Sequence, residues 1–292
     1  ADYTMVGGLS NTATSSAEES LIWGSGSQVS GSNNLVVGGA HVVEGSSDFN
    51  IVGGVTCSGM GGSFDGNLMV GTSLKSTNRY NFTVGQLNVN DTDNNGLGGH
   101  MVGGSGNTIS GSNYGLTFGK GNTAPTDYHS GLQMGQEGDV QNNKYGALST
   151  SAGKFSAVGD AQLTSHLVYR GQTTNNTATV IYNAALSSAK WVLAANDSVI
   201  VKATVIGRKA GDAGQSAAYE VIAAFKNQGG TSTLGTTGVT KRVLNEDTGT
   251  TNYDATLAVN DTDDTFELKV TGDTGHNVNW MAHVEVMKLN VA

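Results

Sequence analysis

The chain has 292 residues, 43 of them glycine and one proline, and charged residues make up 13%. That composition excludes an ordinary helical protein and argues against a disordered, linker-rich chain. The net charge is −9 and there is no basic run, so a nucleic-acid partner is not expected, because phosphate contacts need clustered Lys and Arg.

From its first residues the chain repeats one phrase: a small polar residue, an apolar residue, one more residue, an apolar residue or glycine, then glycine. It reads Ser20-Leu21-Ile22-Trp23-Gly24, Asn34-Leu35-Val36-Val37-Gly38, Asn67-Leu68-Met69-Val70-Gly71 and Asn81-Phe82-Thr83-Val84-Gly85. The copies end at Gly8, Gly24, Gly38, Gly54, Gly71, Gly85, Gly104, Gly119 and Gly135, with intervals of 16, 14, 16, 17, 14, 19, 15 and 16. A period of this size marks a solenoid, whose units bury apolar surface only against their neighbours. Apolar residues stand three places before the glycine, as in Leu21, Leu35 and Leu68, and apolar residues or glycine one place before it, as in Trp23, Val37 and Val70. Side chains two apart share a face of a strand, so these two columns are expected to point inward, with the glycine at a tight corner. Ile22, Val36 and Met69, between them, are then expected to point outward, where only a partner covers them. Second apolar patches such as Val42-Val43, Leu87-Asn88-Val89 and Asn107-Thr108-Ile109 predict two short strands and two turns per coil.

This repeat, with its serine-, asparagine- and glycine-rich return, resembles the YadA-type adhesin head over roughly residues 1–157. The resemblance implies a left-handed parallel β-roll with coils of ~16 residues and a homotrimer, and it connects the chain with both bacterial trimeric autotransporters and phage tail fibres. The intervals Gly54 to Gly71 and Gly85 to Gly104 exceed the family spacing, so excursions are expected at 58–66 and 88–99.

Glycine thins sharply along the chain: 31 of the 43 fall in residues 1–157. Two domains follow, 1–158 and 159–292, with a tapering neck over 120–158. The phrase Gly153-Lys154-Phe155-Ser156-Ala157-Val158-Gly159-Asp160-Ala161-Gln162 resembles the junction before the C-terminal domain of tailed-phage fibre proteins. Beyond it, strict alternation in Val199/Val201/Ala203/Val205, Tyr219/Val221/Ala223/Phe225, Phe266/Leu268/Val270 and Val278/Trp280/Ala282/Val284/Val286 predicts an antiparallel β-sandwich, jelly-roll-like. Its phrases Val205-Ile206-Gly207-Arg208 and Val278-Asn279-Trp280-Met281-Ala282 also look like strands of that fibre domain. The fold class expected is therefore all-β throughout.

No catalytic constellation is legible: the chain lacks a Gly-x-Ser-x-Gly elbow, a phosphate-binding glycine loop and a His-Glu-x-x-His pair. The carboxylate clusters in the roll are Asp91 with Asp93 and Glu137 with Asp139, which also read as solvated turns. Asp91-Thr92-Asp93-Asn94-Asn95-Gly96 matches the first half of a calcium loop, with Asp91, Asp93 and Asn95 as oxygen ligands, but Val102 stands where the twelfth-position Glu belongs. A purely conformational Asp/Asn turn is the competing reading. Asp261, Asp263 and Asp264 lack the glycine altogether. The single cysteine, Cys57, reads as a small semi-buried residue, and His100 fills a polar column otherwise held by Asn.

The expectation for function is the distal part of a homotrimeric bacteriophage tail fibre, a virion protein acting extracellularly as a receptor-binding protein. It is expected to be no enzyme and to use no cofactor. Its partners would be its own copies, a host cell-surface polysaccharide or lipopolysaccharide, and an upstream fibre or virion protein, with neither nucleic acid nor membrane insertion. The chain starts without methionine or a signal peptide and is expected to be a distal piece of a longer protein. Sugar contacts are expected near the sandwich turns 209–216, 227–238 and 245–253, through Arg208, Lys209, Arg242 and Tyr253, because loops on a rigid scaffold carry binding residues. Two alternatives stand beside this. A bacterial trimeric autotransporter head should continue into a heptad stalk, and a polysaccharide-degrading tailspike needs a groove lined by paired carboxylates.

Overall fold

The computed structural model describes residues 3–14, 16–44, 48–59, 66–77, 80–91, 99–110, 115–124, 131–139, 146–183, 190–211 and 215–290. No helix occurs among them. The chain forms two compact units, Ala1–Asn142 and Asn143–Ala292. The division lies ahead of the 158/159 boundary drawn from glycine content, because Leu148–Ala152 already pairs antiparallel with Ala161–Thr173, Leu148 opposite Ser165.

The first unit is a parallel β-solenoid. Each coil gives a five-residue strand to one sheet, in the order Met5–Leu9, Leu21–Ser25, Leu35–Gly39, Ile51–Val55, Leu68–Thr72, Phe82–Gln86, Met101–Ser105, Leu116–Lys120 and Leu132–Gln136. Two- or three-residue strands, from Thr12–Ala13 to Thr123–Ala124, form a second parallel sheet. The repeat glycines stand in register from coil to coil, Gly8 opposite Gly24 and Gly24 opposite Gly38, then onward to Gly135. Glycine is required there. At Gly24 φ is 144°, and a Cβ would lie 1.7 Å from the Gly38 carbonyl oxygen, so the coils stack backbone on backbone.

The inward face is the reverse of the one expected. Ile22, Val36, Val52, Met69 and Val102, each standing between the two columns expected to point inward, are fully buried with Val29, Val43 and Ile109 of the second sheet. Leu21, Trp23, Val37, Ile51, Val70, Met101, Leu116 and Met134 are exposed. The reason is volume. A lumen one side chain wide accepts Val, Ile, Met, Thr or Gln on successive rungs, as the middle column supplies. The column before the glycine runs from Gly7 to Trp23, a change that only an open face tolerates.

Two polar ladders close the corners. In one, each side chain accepts the backbone N–H of the next coil: Ser20 from Asn34, Asn34 from Asn50, Asn50 from Asn67, Asn67 from Asn81, Asn81 from His100, and His100 Nδ1 from Gly115, at 2.8–3.1 Å. The other runs through Asn11, Ser27, His41 and Cys57, and again through Asn88, Asn107 and Asn122. The buried backbone donors at the turns thereby keep partners.

The second unit is antiparallel. Its larger sheet runs Leu148–Ala152, Ala161–Thr173, Val278–Asn290, Asp197–Lys209, Ser216–Asn227, with Ser232–Leu234 and Thr240–Glu246 both flanking the last of these. The smaller sheet centres on Thr265–Thr271, flanked by Asp254–Asn260 on one side and by Thr179–Ile181 and Trp191–Val192 on the other. Alternating residues of both sheets meet in one core around Trp191, Phe225, Phe266, Tyr219 and Trp280. Phe266 stacks between Trp191 and Phe225, with centroids at 6.3 and 5.8 Å. The Trp280 ring occupies the space a side chain at Gly207 would take, and its Nε1 donates to Thr173 Oγ1 at 2.9 Å.

Candidate binding surfaces

The four sugar-contact candidates do not converge. Arg208 is exposed on the outer face of Asp197–Lys209, opposite Ser216. Lys209 is half-buried at the strand end, its N–H donating to the Gln215 carbonyl at 3.0 Å. Arg242 lies on the far side of Ser216–Asn227 and pairs with Glu220 at 3.0 Å. Glu220 also binds Lys202 Nζ at 3.0 Å, and that hydrogen bond, with the two positive charges, holds its carboxyl below the usual range. Tyr253 corrects the expectation. It is only 3% exposed, its ring packs on Trp280 with centroids 5.7 Å apart, and its hydroxyl meets His276 Nδ1 at 3.1 Å, so it offers no face to a sugar.

Of the calcium candidates, the backbone of Asp91 ends the strand Val89–Asp91 opposite Ser110. Its side chain, and the residues Asp93 and Asn95, lie outside the described residues, as do most of the excursions 58–66 and 88–99. Among the described residues, no three His, Cys, Asp or Glu side chains are grouped to hold a metal. Four other carboxylates have local duties. Asp139 accepts from Thr123 Oγ1 at 2.9 Å, Asp263 pairs with Lys190 at 2.7 Å, and Asp264 accepts from Ser232 Oγ at 2.7 Å. Asp160 takes the N–H groups of Phe155, Ser156 and Ala157, the Ser156 bond foremost in lowering its carboxyl pKa. Cys57 is buried, and burial raises its thiol pKa, which keeps it unreactive. His100 is buried in its ladder, and burial lowers its pKa to about 4.

Three surfaces stand out once the parity of the solenoid strands is known. The first is the apolar band on the outer face of the five-residue strands, where Trp23 is 58% exposed and Val37, Ile51, Val70 and Met101 continue the row. Its large rings are seated against glycines of the preceding coil. A Cβ at Gly7 would lie 2.3 Å from the Trp23 ring, and one at Gly103 would lie 2.7 Å from the Phe118 ring. The second is a corner column five places before the repeat glycine, holding Tyr3, Glu19, Asn33, Phe49, Gly66 and Tyr80. The third is the outer face of the larger antiparallel sheet, where Ile200, Met287 and Leu289 border an apolar cleft of about 380 Å³. The repeat pointed to the first of these through the wrong column. Only the recurrence of aromatic residues, Tyr3, Phe49 and Tyr80, at one place in the repeat signalled the second.

No protein-family model matches the chain, and no curated protein matches it. Among the solved structures that align with it are two tailspike proteins. The tailspike protein of Acinetobacter baumannii phage AM24 aligns at 10% identity and a TM-score of 0.27 over 96% of this chain and 58% of that one. The tailspike protein of Acinetobacter phage vB_ApiP_P1 aligns at 8% identity and a TM-score of 0.20, over 93% of this chain and 66% of that one. The chain thus spans less than two thirds of the length of either.

Proposed function

We propose that this chain is the host-attachment part of a bacteriophage tail, a virion protein that works outside the cell as a parallel homotrimer and binds a surface polysaccharide or lipopolysaccharide without cleaving it. The observation that carries the reading is the unbroken apolar band along the solenoid. Contiguous apolar surface of this extent is rare on a monomer, and copies of the same chain, packed side by side, cover it along its whole length. The resemblance of the repeat to trimeric adhesin and fibre heads supports the same assembly. A trimer presents every glycan contact three times, and such multivalency raises avidity by about 10²–10⁴ when the sites engage one surface together. An upstream fibre or virion protein is the remaining partner in this reading.

The attachment step is tested by incubating labelled full-length chain with a panel of bacterial cells and with their isolated capsular polysaccharide and lipopolysaccharide. Saturable binding to at least one polysaccharide is expected, and binding to none would overturn the reading. Release of oligosaccharides from those extracts would instead establish a glycan-degrading tailspike, with Asp91, Asp93, Glu137 and Asp139 the first carboxylates to replace.

A further inference from the structure

We infer that the corner column of the solenoid is a glycan-stacking shelf, with Phe49 and Tyr80 as its platforms and a neutral, flat, equatorially linked oligosaccharide as its ligand. The inference deepens the attachment reading and rests on it. Tyr3, Glu19, Asn33, Phe49, Gly66 and Tyr80 occupy the same place in successive coils, and backbone bonds run along the corner from Asn33 to Glu18, Phe49 to Ser32 and Gly66 to Asp48. The column therefore keeps its register from coil to coil.

The corner is left-handed from Tyr3 to Tyr80 whatever residue stands there, Glu19 (φ 49°) included. The corner needs a left-handed backbone, which Asn33 (φ 62°) and Gly66 (φ 67°) adopt readily, whereas Phe49 (φ 60°) and Tyr80 (φ 57°) are bulky residues in a conformation that bulky residues seldom take. Their rings stay largely exposed, Phe49 at 67% and Tyr80 at 63%. Non-glycine residues take the left-handed backbone at both corners of the solenoid, Thr56 and Leu87 among them, so it is the exposure of these two rings in one column that points to a ligand. Gly66 completes the arrangement. A Cβ there would lie 2.9 Å from Tyr80 Cδ1, so the Tyr80 ring lies across the gap that Gly66 leaves.

The spacing names the class of ligand. Phe49 and Tyr80 are two rungs apart, about 10 Å along a parallel stack, roughly the length of a disaccharide in an extended chain. A pyranose with equatorial substituents presents a face of C–H groups, which the negative face of an aromatic ring attracts. The Tyr80 hydroxyl and the half-buried Asn33 amide, one rung before Phe49, supply hydrogen bonds to sugar hydroxyls. The column itself carries one charge, Glu19, and no Lys or Arg, while Asp48 before Phe49 and Arg79 before Tyr80 are of opposite sign, so the shelf offers no net attraction to an acidic polymer and suits a neutral one.

The test uses full-length chain, with β-1,4-linked N-acetylglucosamine and glucose oligomers as neutral probes and hyaluronan oligomers as the acidic one. Phe49→Asn and Tyr80→Asn keep the corner conformation that Asn33 shows, and Phe155→Ala removes an exposed aromatic elsewhere. Binding of a neutral probe, at least tenfold weaker in each corner variant and unchanged in Phe155→Ala, with the oligomeric mass preserved, is the result expected. Equal binding by wild type and corner variants overturns the shelf while leaving glycan attachment intact. A preference for hyaluronan overturns the neutral class. Loss of oligomeric mass in Phe49→Asn or Tyr80→Asn shows that the rings join copies of the chain and overturns the shelf. Absence of binding by the wild type to these probes and to host polysaccharide alike removes the shelf and the attachment reading together.

Discussion

Gly54 fixes a corner that no other residue fits: φ is 116° and a Cβ would lie 1.8 Å from the Gly71 carbonyl oxygen. Gly54→Ala must push adjacent coils of backbone apart as well as strain its own, and a loss of about 3 kcal/mol or more is expected. A urea titration followed by circular dichroism reads it, and a midpoint equal to wild type would refute the close stacking. His100 makes a different demand on its surroundings. Burial lowers its pKa to about 4, against 6.5 for an ordinary imidazole. Between those values the unfolded chain binds a proton that the folded chain does not, so stability is complete above pH 6.5 and falls as the pH drops toward 4. The loss is on the order of 3 kcal/mol. His41, also lowered by burial, adds in the same direction. His100→Asn restores the residue its column otherwise carries and should flatten the pH profile over this range. An identical acid profile in that variant would show that His100 is not the group responsible.

At the scale of the element, the ladders hold each coil to the next. Asn107 donates through Nδ2 to the Gly103 and Gly119 carbonyls at 2.9 and 3.0 Å and accepts the Asn122 N–H at 3.0 Å. Asn107→Ala leaves these groups buried without partners, a loss of about 2–4 kcal/mol. Asn245→Ala, on an exposed strand, should stay within about 1 kcal/mol of wild type. Equal urea midpoints for the two variants would contradict a structural role for the ladder. Much of this was legible in the sequence, because the signals are local. The glycine column, the two strands per coil, His100 in the asparagine column and the period-two burial of Asp197–Lys209, Ser216–Asn227 and Val278–Asn290 each follow from backbone geometry and alternation. The parity of the solenoid strands was misread, since three consecutive apolar residues in Leu35-Val36-Val37 leave the choice of face to the width of a lumen that only the coiled chain defines. Tyr253 was misplaced for a similar reason. It adjoins a turn, but Trp280, Tyr219 and His276 reach it from distant stretches of the sequence.

For the molecule as a whole, the apolar band carries the prediction of a homotrimer. Each large side chain removed from water contributes about 1.5–3 kcal/mol, and the band supplies such residues on nearly every rung, among them Leu21, Trp23, Val37, Ile51, Val70 and Met134. Val37→Lys combined with Val70→Lys places charges in the middle of that face without touching the buried column of Val36 and Met69. The double variant is expected to keep its β-sheet circular dichroism and to lose its assembly. A fully assembled variant would move the contact between copies elsewhere. Wild-type chain, by contrast, is expected to cover this band with its own copies. Light scattering on the wild-type chain in native buffer should give three times 29.9 kDa, whereas a mass of 29.9 kDa would contradict it.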